Sequence, residues 1–158
     1  MDDPAEVVVA NKIRAAFADV MYPGDENIVR AEEVCHPEWN EVEQAFKGKH
    51  WGQLRVDFLH YHYDALYVFT PEAYRYYLPA YMLNSILYNE ESDIVPATVI
   101  YSLTPREDPK DLDDFNDRIG GFTPLQREAV KSFLAYLRMS YPDEYDEEVD
   151  EAIVHFES

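Results

Sequence analysis

The closest approach to a metal or proton-transfer pattern is His60-x-His62-x-Asp64. Imidazoles two positions apart diverge by about 200° on a helix, and only a strand would put both on one face. His62 falls on an apolar stripe with Phe58, Leu59 and Phe69, and His60 falls with Asp57 and Asp64. The expectation is therefore two separate histidines, packed or hydrogen-bonded, and no metal site. Cys35-His36 is a thiol beside an imidazole, but sequence adjacency does not supply the geometry of a nucleophile and its base. Tyr22-Pro23-Gly24-Asp25-Glu26-Asn27 reads as a tight turn and lacks the glycine spacing and Lys-Ser/Thr pair of a phosphate loop. Carboxylates are so abundant that no pair stands out as acid and base. No catalytic residue, metal ligand or cofactor is expected, and the chain reads more readily as a non-enzyme.

Charge narrows the partner classes. The 158 residues hold 13 basic and 32 acidic side chains, a net charge of −19. A field of that sign repels phosphates, which argues against direct nucleic-acid or anionic-membrane binding. The densest run, residues 143–151, holds seven acids in nine positions. Acids favour a helix N-terminus, so this run is expected to open an acidic C-terminal helix at about 143–157. It also offers Asp146, Glu147 and Asp150 as a face for a basic protein partner. The most basic patch is Phe46-Lys47-Gly48-Lys49-His50-Trp51, read as a helix end followed by solubilising lysines.

The elements that position these groups are helical by grammar and by period. Asp3-Pro4-Ala5-Glu6, Thr104-Pro105-Arg106-Glu107 and Thr123-Pro124-Leu125-Gln126 each place a capping side chain before proline and a Glu or Gln two residues after it. Thr70-Pro71 and His36-Pro37 are weaker starts of the same kind. Val9, Ile13 and Phe17 recur at helical spacing, as do Trp39, Val42 and Phe46, and Leu125 through Leu137. Trp51 through Phe69 continues at one helical period and is read as one helix. Residues 71–88 are apolar nearly all round and should be central. Pro79 within them predicts a kink or a helix break, with the carbonyl of Arg75 left without its usual partner. Residues 94–103 fit a helix begun by Pro96 better than a strand, because no second strand offers itself. The fold is expected to be all-α, a compact irregular bundle of about seven helices forming one domain over 1–158. A single cysteine rules out an internal disulfide. The residues after Met1 lack a signal peptide's basic start and apolar core, and no apolar run approaches the roughly 18 residues of a membrane span. The expected compartment is the cytoplasm.

Three stretches resemble the small bacterial family of uncharacterised proteins known as DUF6714: residues 17–29, residues 45–51, and Phe69-Thr70-Pro71-Glu72-Ala73-Tyr74-Arg75-Tyr76-Tyr77-Leu78-Pro79-Ala80-Tyr81-Met82. The likeness spans roughly residues 10–140, and the closing acidic helix is less typical of it. It implies a compact soluble domain and carries no activity.

The third stretch crowds Tyr74, Arg75, Tyr76, Tyr77 and Tyr81 around Pro79. Tyrosine and arginine are enriched at interface hot spots, so this bend, with Lys49 and Trp51 beside it, is the expected working surface. The competing reading lines the core with the tyrosines and pairs Arg75 with an acid such as Glu72. The leading functional expectation is a non-catalytic interaction module, in its strongest form an immunity or inhibitor-type protein covering a basic partner. A nucleic-acid mimic would instead align its carboxylates along one face. A small enzyme or ligand binder would hold Arg75 or His62 in a concave pocket. The oligomeric state is left open.

Overall fold

The computed structural model describes residues 4–30, 37–88, 94–105 and 109–157. Among them are eight α-helices: α1 (Ala5–Ala16), α2 (Pro37–Phe46), α3 (Val56–Tyr61), α4 (Pro71–Leu87), α5 (Val95–Ser102), α6 (Pro109–Gly120), α7 (Pro124–Ser140) and α8 (Asp146–Ile153). Short 3-10 turns cover Trp51–Gln53, Tyr63–Tyr67 and Val154–Phe156. The fold is all-α, and the described residues contain no strand. One isolated antiparallel bridge joins Val29 to Phe69.

The local signals for helix starts hold at α2, α4 and α7, but not at Thr104-Pro105: Thr104 Oγ1 donates back to the Tyr101 carbonyl, Pro105 lies outside any helix and α6 begins at Pro109. Thr123 Oγ1 accepts the Gln126 amide and Gln126 Oε1 accepts the Thr123 amide, closing the capping box of α7. Thr70 Oγ1 accepts the Ala73 amide at 3.0 Å and donates to the Asn27 carbonyl at 2.8 Å. That hydroxyl therefore caps α4 and ties it to the segment that forms the bridge. Pro37 opens α2 and Pro96 lies in the first turn of α5. At α1 the expectation shifts by one residue, because Pro4 itself caps the helix. Asp3, His36, Arg106 and Glu107, and with them the Cys35-His36 pair, lie outside the described residues.

The 51–69 stripe is not one helix. The His50 Nδ1 accepts the Gly52 amide at 2.9 Å and the Gln53 side chain accepts the His50 amide, which closes a short turn. Leu54 and Arg55 are extended, α3 then runs for six residues, and a further turn follows it. The apolar spacing survives these breaks, so the period concealed them. The acid run also starts earlier than its helix. Asp143 adopts a left-handed φ of 66° in the turn after α7, and α8 begins only at Asp146 and ends at Ile153.

Helix α4 is the axis of the molecule and packs against α1, α3, α5 and α6. It runs unbroken from Pro71 to Leu87 with Pro79 inside, so of the two expectations, a kink or a break, the break is absent. Pro79 still offers no amide to the Arg75 carbonyl. Residues 76–82, around Pro79, are all buried, and tertiary packing outweighs one lost hydrogen bond.

Candidate functional site

The tyrosines of the 74–81 stretch belong to the core. Tyr74, Tyr77 and Tyr81 are fully buried and Tyr76 is 3% exposed. Their hydroxyls have a common task. The Tyr77 hydroxyl donates to the Phe46 and Lys49 carbonyls, both at 2.9 Å, just where α2 ends. The Tyr81 hydroxyl donates to the His62 carbonyl at 2.6 Å, at the end of α3. The Tyr74 hydroxyl meets Ser102 Oγ at 2.8 Å, at the end of α5. Arg75 Nη1 donates to the Asp117 and Arg118 carbonyls, both at 2.8 Å, at the end of α6. The last carbonyls of a helix lack intrahelical partners. Four side chains of α4 thus close the C-terminal ends of four other helices.

This corrects the expected binding surface. A face whose tyrosines are buried donors cannot also be the contact surface of a partner. Arg75 bonds to the α6 carbonyls, and the Glu72 and Asp117 carboxylates also act on its charge, so the competing reading holds in part. Gly121 makes room for it: a Cβ there would stand 2.2 Å from the Arg75 Cζ. Burial pushes the phenols up, Tyr74 to about 12 and Tyr77 and Tyr81 upward as well. They are neutral donors with no role as proton carriers near neutral pH.

Trp51 is 7% exposed and stacks on His50, so it too is removed from the surface. Lys49 is exposed, with its ammonium 5.0 Å from the Phe58 ring centroid. His60 is exposed, whereas His62 is buried among the rings of Phe46, Phe58 and Tyr61. Desolvation lowers the His62 pKa and keeps it neutral. The two histidines diverge as the helical spacing requires. Among the described residues no three side chains gather as metal ligands. Arg75 borders a cleft of about 500 Å³ with Asp19 and Leu125, but its Nη1 is already bound to the α6 carbonyls.

The acidic residues picked from the sequence frame a groove that the period alone did not reveal. Between α7 and α8 lies a depression of about 400 Å³ lined by Ala135, Met139, Val149 and Ile153, with Asp143, Asp146 and Asp150 around it. Met139 is 64% exposed there. Arg138 bridges the acids, 3.8 Å from Asp146 and in direct contact with Asp150. Glu147, Glu148 and Glu151 are exposed on the same helix, which contains no basic residue. Exposed carboxylates elsewhere stand on α1, α2, α3, α4, α6 and α7, so the acidity is general and is densest on α8. Among the described residues no helix is long and apolar enough to cross a membrane.

The chain belongs to DUF6714, a family of unknown function, whose profile matches residues 5–156. The match takes in α8. No curated protein and no solved structure matches the chain.

Proposed function

We propose that the protein is a non-catalytic cytosolic interaction module that docks a basic protein partner through the α7–α8 groove. The observation that carries this reading is the pairing of exposed Met139 with Asp143, Asp146 and Asp150 around one apolar depression. An apolar anchor supplies affinity, and surrounding carboxylates steer a cationic partner and reject an acidic one. Arg138 already holds the position that a partner's arginine would take against Asp146 and Asp150. Docking then exchanges one guanidinium for another, and the carboxylates are never left buried without a cation. An inhibitor or immunity role is one use of such a surface. The spread of exposed acids over seven helices weighs against a single phosphate-like row and hence against the mimic.

The test is affinity capture from native lysate with wild type, Met139→Glu and Glu147→Lys/Glu151→Lys side by side, at low and high salt. The reading expects a stoichiometric basic protein on the wild type. Met139→Glu should lose it at both salts, and the lysine pair should weaken it most at low salt. The same proteins on all three baits, or nothing above bead background, would refute it.

A further inference from the structure

A second cavity has the opposite character. It holds about 450 Å³ between the end of α1, residues 50–59 and the C-terminal half of α4. Its body is apolar, with Leu54, Leu59, Leu83 and Leu87 among its walls, and Trp51 and Asn84 beside them. That size and lining suit a small organic molecule. The polar groups point to the sign of its charge. Arg14 is exposed at the lining, and among the described residues its side chain bonds to the Asn11 carboxamide, at 3.4 Å. His50 accepts the Gly52 amide at Nδ1, which leaves the neutral ring's Nε2–H as a donor. The Trp51 indole N–H is buried and has no acceptor among the described residues. The described residues that line this cavity include no carboxylate. In a chain of net charge −19 that is a local reversal, with donors and a cation at the lining and no acid. The cavity opens beside a wider groove of about 890 Å³ that shares Leu54, Val56 and Tyr88 with it.

We propose that this cavity binds a small organic anion with an apolar body, its acid group held at Arg14 and the His50 Nε2–H and its body laid between Trp51 and the leucines. The site is separate from the α7–α8 groove and stands whether or not that groove docks a protein.

The test uses decanoate, with decylamine and decanol as charge-reversed and neutral probes. Trp51 emission is read in a Trp39→Phe background, which leaves one tryptophan of the two. Decanoate should give a saturable change, and decylamine should bind at least about tenfold more weakly despite the favourable global charge. Arg14→Gln, at an exposed position, should weaken decanoate about tenfold, the loss of one charge-assisted hydrogen bond, with the melting temperature unchanged. Ala18→Phe, which fills the lining from the α1 side, should abolish binding. Equal binding of the amine, binding indifferent to both variants, or no saturable response would each overturn the proposal.

Discussion

Arg75 and Gly121 form a contact whose energy can be isolated. Replacing Gly121 with alanine puts a methyl group 2.2 Å from the Arg75 Cζ. The guanidinium must retreat by more than about 1 Å to reach ordinary contact. Its bonds to the Asp117 and Arg118 carbonyls are both 2.8 Å long, so that movement breaks both. Two such bonds contribute about 1 kcal/mol each, and a cation at a helix C-terminus adds about 0.5 kcal/mol. Arg75→Ala should therefore cost about 2.5 kcal/mol. Gly121 lies outside the left-handed region, so alanine there meets no backbone strain and recovers about 0.5 kcal/mol of unfolded-state entropy. Gly121→Ala should then cost about 2 kcal/mol, or roughly 4–8 °C in melting temperature for a chain of this length. In an Arg75→Ala background the same glycine substitution should be neutral or slightly stabilising, giving a coupling energy of about 2–2.5 kcal/mol. Urea titrations of the four proteins at equal m-values measure the cycle. If Gly121→Ala costs as much without Arg75 as with it, the glycine serves the backbone, and its assignment as the seat of the guanidinium is wrong.

Two further outcomes follow from the hub at α4. Its buried phenols have folded pKa values above the ordinary value near 10, Tyr74 at about 12. Their contribution is complete below pH 10 and is lost as pH rises through the folded values, because the unfolded chain releases these protons first. Stability should fall above pH 10 at up to about 4 kcal/mol per pH unit for three tyrosines, read from urea midpoints alongside absorbance at 295 nm. Ionisation of all 13 tyrosines at pH 11 with the helical signal intact would contradict their burial. Thr70→Ala removes both the α4 cap and the bond to the Asn27 carbonyl and should cost about 2 kcal/mol, with Thr70→Ser recovering most of it. A urea midpoint for the alanine variant close to wild type would show that neither bond matters.

Most helix starts were legible in the sequence because they are made by neighbours; Thr104-Pro105, which starts no helix, was the exception. The Thr123–Gln126 box and the Thr70 cap close within three residues, and the apolar period needs only one helix face to be buried. These local rules were enough to recognise an all-helical chain, the central position of residues 71–88, the helix at 95–102 and the divergence of His60 from His62. They failed wherever a distant element had the deciding contact. Arg75 meets carbonyls 42 and 43 residues away, and Tyr77 meets carbonyls 31 and 28 residues away. No spacing rule announces such partners, so residues typical of an interface were read as one. The break at Leu54 and Arg55 was hidden because the apolar stripe runs through it unchanged. Helix α4 passes Pro79 because the surrounding packing outweighs one absent amide. Both cavities are likewise products of assembly. Arg14, His50, Trp51 and Leu83 share one cavity only because α1 and residues 50–59 close on the same end of α4. The sequence alone determined that the chain is helical and where α1, α4, α5 and α7 lie, since that depends on bonds between near neighbours. The tertiary structure alone decided which way the tyrosines and Arg75 face, since burial depends on what packs against them from the far side of the chain.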